Sequence, residues 1–240
     1  MTDEATPNRG RVARLLQAGM PRLQPDYLIE RATWSATITY ILFTGIVALF
    51  ALPVEQRIGN IASDSAGGAL AIYTVLFCLL FGVLTLTMGQ AERRWQSRLS
   101  LGGQLGHLTV RVGFALALAL PSWVAYMMAH VRSWTALTLV LVHLGLWGLM
   151  LGLAGWRLEL APWSDIVQFN VKYGGFFAYL VLTGVGQQLP IVGIIGPFRT
   201  LDGLMTQGVD AWGALLQGAI IWIALGLALM ISVRRAYERS

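Results

Sequence analysis

Glu92, Arg93, Arg94 and Arg98 crowd into seven positions of a chain in which only 12% of residues are charged. Trp95 sits among them, and the polar insert that holds them, Met88 to Arg111, separates two long apolar stretches. A compact charged helix between two apolar spans has few tasks. Docking a soluble partner is a leading one, so these five residues are the candidate coupling site.

The other residue types capable of chemistry do not assemble into known catalytic patterns. A phosphate-cradling loop needs G-x-x-x-x-G-K-[ST]. The one lysine, Lys172, follows Phe169, Asn170 and Val171, so the chain is not expected to hydrolyse ATP itself. Zinc proteolysis needs H-E-x-x-H, yet no glutamate follows His107, His130 or His143. A G-x-S-x-G nucleophile elbow is also absent. Two histidines at one depth could ligate haem iron. Here His107 and His130 belong at opposite boundaries, and His143 falls about nine residues into its span, roughly 14 Å deep at 1.5 Å per residue. His143 alone could relay protons, but no predicted span supplies an Asp, Glu or Lys partner. A neutral imidazole hydrogen-bonded between helices is the expected state. Gln187, Gln188 and the nearby Pro190 are candidates for a polar pathway or gate, with helix glue as the alternative for the glutamines. No resident cofactor or metal is expected.

The elements that must position these residues are membrane helices. Hydrophobic residues make up 56% of the 240, with 27 glycines and a mean hydropathy of +0.63, a composition that would leave a water-soluble domain with excessive apolar surface. Six windows free of Asp, Glu, Lys and Arg each reach about 20 residues, the length that crosses a 30 Å hydrocarbon core. The predicted fold is all-α: six transmembrane helices at about 34–52, 67–89, 108–129, 134–155, 174–190 and 212–233, forming a domain over 32–240. With both termini inside, the inner segments hold 14 of the 17 Lys and Arg residues; Arg57, Arg132 and Arg199 are outside. That bias predicts cytoplasmic N- and C-termini. The net charge of +5 then reads as membrane-facing rather than as a nucleic-acid footprint. The single cysteine, Cys78, allows no intrachain disulfide.

Residues 1–31 are polar and arginine-rich, with no early apolar core or cleavage site, and read as a cytoplasmic tail rather than a signal peptide. Within it Val12, Leu15, Leu16 and Met20 recur at helical spacing, predicting an interfacial helix. The segment Arg157–Lys172 predicts another. Arg111, just inside the third span, is expected to snorkel to the inner headgroups, and Pro121 is expected to kink that span. In the fourth span Gly145, Gly148, Gly152 and Gly155 follow spacings of three, four and three, placing small residues on one face for close helix packing. The stretch 191–205 is too apolar for a loop and too broken by Gly193, Gly196 and Pro197 to span alone. It predicts an outer re-entrant hairpin, tolerated at membrane depth against protein or a water-filled cavity.

In order along the chain, these features resemble the type-2, exporter-type permease family of ABC transporters. The resemblance covers nearly the whole chain. It rests on the interfacial helix before the first span, the Glu92-Arg93-Arg94 segment and the glycine-rich fourth span. Leu189-Pro190 leading to Gly196-Pro197, and the final Arg234-Arg235-Ala236-Tyr237-Glu238-Arg239, complete it. The coupling segment lacks the family's usual proline-centred stretch after the glutamate. The resemblance implies pairing with a second permease subunit, in a homo- or heterodimer, above cytoplasmic ABC ATPase subunits that carry ATP and magnesium. It implies that Gln90–Ser100 inserts into a groove on the ATPase, and that Gln187, Gln188 and Pro190 lie near the outer gate of the substrate path. The location implied is a bacterial inner membrane, and the mostly apolar spans suit a lipid-like, peptide or hydrophobic drug cargo. Two other classes stand beside it: a non-transporting membrane scaffold, for which glycine-faced and interfacial helices suffice, and a secondary carrier or channel.

Overall fold

The computed structural model describes residues 35, 37–46, 63–95, 100–129, 134–186, 189–206 and 212–238, and all regular structure among them is helical. In chain order the helices are α1 (Thr37–Ile46), α2 (Ser63–Trp95), α3 (Leu101–Ala129), α4 (Trp134–Glu159) and α5 (Asp165–Phe169). A π-helical turn (Asn170–Gly174) joins α5 to α6 (Gly175–Val185), and α7 (Pro190–Ile195), α8 (Pro197–Thr206) and α9 (Trp212–Tyr237) complete the described chain. Three stretches are long and apolar enough to cross a membrane: Leu101–Val124 in α3, Trp134–Glu159, which is α4, and Leu215–Tyr237 in α9. Thr37–Ile46 and Thr74–Gln90 are shorter apolar helices. This architecture is that of a helical membrane protein.

Helix α4 is the hub, packing against α2, α3, α8 and α9. Its glycines explain how the neighbours come so near. A Cβ on Gly148 would lie 2.8 Å from the Phe81 ring of α2 and 3.1 Å from Val112 of α3. One on Gly152 would lie 2.7 Å from Leu108, and one on Gly145 would meet Leu116 at an ordinary 3.5 Å. At Gly155 the neighbour is the Leu86 carbonyl oxygen, and across the same contact Gly89 of α2 lies against the backbone of Trp156. Backbone therefore touches backbone where α2 and α4 cross, as small residues allow.

Around this crossing the core is aromatic. Phe77 stacks with Phe81 at 5.5 Å and meets Trp123 edge-on at 5.1 Å. Phe81 reaches Trp147 at 6.1 Å. Tyr40 of α1 packs on Phe77 and donates its hydroxyl to the Ala115 carbonyl at 2.7 Å, satisfying the polar end of a fully buried ring.

Three features differ from the sequence reading, each for an identifiable reason. Helix α3 begins at Leu101 rather than near 108, because Ser100 caps it: its hydroxyl accepts from Gly103 N–H at 3.2 Å and its carbonyl from Gln104 N–H at 3.0 Å. Gln104 and His107 in that added turn are buried, not solvated. Arg111 does not snorkel; it is buried and donates from Nη1 to the Met88 carbonyl of α2 at 3.3 Å. The third difference is that the segment after α4 and the following apolar helix form one unbroken helical run, Asp165–Val185. Helix α3 continues through Pro121 to Ala129. Residues 1–31, 47–62, Arg98, 130–133, Gln187, Gln188 and Arg239 lie outside the described residues.

Candidate functional site

The charged insert is helical up to Trp95. Helix α2 continues without a break from its apolar stretch Thr74–Gln90 through Glu92, Arg93, Arg94 and Trp95, so the four residues form its last turn. Glu92 is three residues past Gly89, where α2 lies against the α4 backbone. A push on the charged end therefore has a short, stiff path into the hub helix.

Pro190 opens α7, with Leu189 as an extended N-cap at φ −84° and ψ 127°. Proline suits a first helical position because its missing N–H would be unpaired there anyway. Gly196 then separates α7 from α8 in an extended conformation, φ −96° and ψ 160°. A side chain there would collide with Thr183. The carbonyl of Ile195 is fixed by two donors, the Tyr179 hydroxyl at 2.8 Å and Trp222 Nε1 at 3.3 Å. Trp147 Nε1 donates in turn to the Tyr179 oxygen at 3.0 Å. Helices α4, α6 and α9 thus hold the junction of the α7–α8 pair by a short chain of hydrogen bonds, which no spacing in the sequence announces.

His143 belongs to the same region but differs from expectation. It is buried, packs against Trp222 with ring centroids 3.9 Å apart and planes tilted by 37°, and lies 2.8 Å from the place a Gly218 side chain would take. Its ring nitrogens have no hydrogen-bond partner among the described residues. Aromatic packing, not an interhelical hydrogen bond, holds the ring.

The sequence reading missed the buried ion pair at the far end of α4. Lys172 Nζ and Glu159 Oε1 are 2.8 Å apart with side chains 2% and 9% exposed. The ammonium also lies 5.6 Å from the centre of the Tyr173 ring. Nearby, Gln168 donates to the Ala161 carbonyl at 3.0 Å, and Arg157 Nε donates to Ser232 Oγ of α9 at 2.8 Å. The signal available in the sequence was that the lone lysine follows Glu159 by 13 positions across a proline-containing turn. Among the described residues no three His, Cys, Asp or Glu side chains come together as a metal site would require.

No protein-family model, curated protein or solved structure matches the chain.

Proposed function

We propose that this chain is the membrane-spanning permease subunit of an ATP-driven ABC exporter of the type-2 kind. It works with a separate cytoplasmic ATPase and a second permease subunit in a bacterial inner membrane. The observation that carries the reading is the form of α2, an apolar helix that continues rigidly into Glu92-Arg93-Arg94-Trp95. One turn before that charged end it lies backbone to backbone on α4. Force applied by a partner at the charged turn would move α4, and with it the packed α9 and the α7–α8 pair. The paired short helices ahead of the last long helix also support the reading, as the outer re-entrant hairpin. In this proposal α1, the apolar part of α2 and α6 join α3, α4 and α9 as six spans, with both termini cytoplasmic. Cargo is lipid-like, peptide or hydrophobic drug, and no covalent chemistry occurs in this chain.

A scaffold reading draws on a different observation: the described core is filled by aromatic side chains and close helix contacts, which suffice for a purely structural subunit. Purification from the native membrane in mild detergent, with ATPase activity assayed on the eluate, separates the two. A stoichiometric soluble ATPase is expected, lost when Glu92, Arg93 and Arg94 are replaced together by alanine. Elution with membrane proteins alone, and no ATPase, contradicts the permease proposal and leaves the scaffold.

A further inference from the structure

The run Asp165–Val185 contains two charged residues, Asp165 and Lys172. The cation is hidden: the π-turn carries Lys172 inward to Glu159, where it is 2% exposed. What remains on the outside of α5 and the π-turn is mostly apolar, with Asp165 at the start of α5 and Asn170 in the π-turn as its exposed polar residues. Ile166 is 75% exposed and Phe169 62%, with Trp163, Val167 and Val171 exposed beside them. Phe169 lies at 4.9 Å from Tyr173, so an aromatic edge runs from the start of the segment into α6. There it joins the exposed Phe177, Val181 and Leu182 without a charged residue between.

Water is a poor neighbour for such a surface, since contiguous exposed apolar patches mark a contact. The depth of the segment identifies the contact. Helix α4 has 26 residues, about 39 Å at 1.5 Å per residue. That exceeds a hydrocarbon core of about 30 Å but fits a bilayer of about 40–45 Å with its headgroups. Its Glu159 end, and the Lys172 bonded to it, therefore belong at the edge of the hydrocarbon. Ile166 lies six residues before Lys172, about 9 Å along the helix, and stays at this level when the elbow lies near the membrane plane. Amphipathic and aromatic segments settle at this level, with apolar groups reaching about 5–10 Å into the headgroup–acyl boundary.

We propose that α5 and the π-turn are a lipid-embedded elbow, with Ile166 and Phe169 in the headgroup–acyl boundary and the Lys172–Glu159 pair withdrawing the one cation that would draw the segment into water. The occupant of this face is membrane lipid. The inference rests on the membrane placement of α4 and α9, not on the exporter reading.

The test uses the full chain in vesicles of phosphatidylcholine and phosphatidylglycerol. Single cysteines (Ile166→Cys, Phe169→Cys and, as a lipid reference on α9, Ala228→Cys) are spin-labelled. The native Cys78 is fully buried, and the wild-type chain treated identically sets the background. Collision with oxygen, which concentrates in lipid, is compared with collision with a water-soluble nickel chelate. At 166 and 169 oxygen is expected to dominate, giving a depth below the phosphates and shallower than at 228. Domination by the nickel chelate at 166 and 169, with 228 still in lipid, overturns the elbow. So does an immobilised label that neither reagent reaches, the sign of a protein partner on this face. A label at 228 that reads aqueous overturns the membrane placement on which the inference rests.

Discussion

At the scale of single residues, the Lys172–Glu159 pair shows how one contact moves a boundary. A lysine in a mostly apolar stretch marks the end of a span when it is read alone, because an unpaired ammonium is expensive to bury. Paired at 2.8 Å with Glu159, it is tolerated inside the packed turn. Such a pair contributes little net stability, yet removing one partner leaves the other charge buried alone, at a cost of about 3–5 kcal/mol. Lys172→Met is therefore expected to lower unfolding stability in detergent by about that amount. The double change Lys172→Met with Glu159→Leu should recover most of the loss. Equal loss in the single and double variants would show that packing, not the uncompensated charge, is what matters there. Arg111 and His143 carry the same lesson. Their types predicted polar company in headgroups or between helices, whereas one is turned to a backbone carbonyl and the other packs on a ring.

At the scale of helices, spacing alone groups Gly145, Gly148, Gly152 and Gly155. It does not carry the fact that two helices share that face, nor that Gly89 answers from α2. The consequence is a graded prediction. Gly155→Ala and Gly89→Ala set a methyl against backbone, which cannot rotate away, and each is expected to cost about 1–3 kcal/mol or more. Gly145→Ala meets only Leu116 at 3.5 Å, and Gly113→Ala meets nothing within 4 Å; both should be near neutral or stabilising. Thermal unfolding of the four variants in one detergent tests the ranking, and a mild Gly155→Ala would contradict the close α2–α4 crossing. The helical class and the long apolar helices were legible because hydropathy accumulates over about 20 residues. The start of α3 and the unity of Asp165–Val185 were not, because each is decided by one local bond: the Ser100 cap and the Lys172–Glu159 pair. Pro190 and the Gly196 break between α7 and α8 could be placed from composition; the hydrogen bonds that fix the Ile195 carbonyl could not, since they join residues from three helices.

At the scale of the whole molecule, the arrangement is a set of helices around α4, with a charged turn at the end of α2 and a pair of short helices before α9. The permease proposal assigns these the two ends of one lever. Its input is the turn Glu92–Trp95, so its most direct test asks what touches that turn in the cell. A photo-crosslinking amino acid placed at Arg94 and irradiated in intact native membranes should capture one soluble protein, with the cross-linked peptide mapping to a nucleotide-binding ABC ATPase. The same probe at the exposed Ala228 of α9 should not. Crosslinks at Arg94 to lipid or to other membrane proteins, with no ATPase among them, would contradict the proposal at its centre.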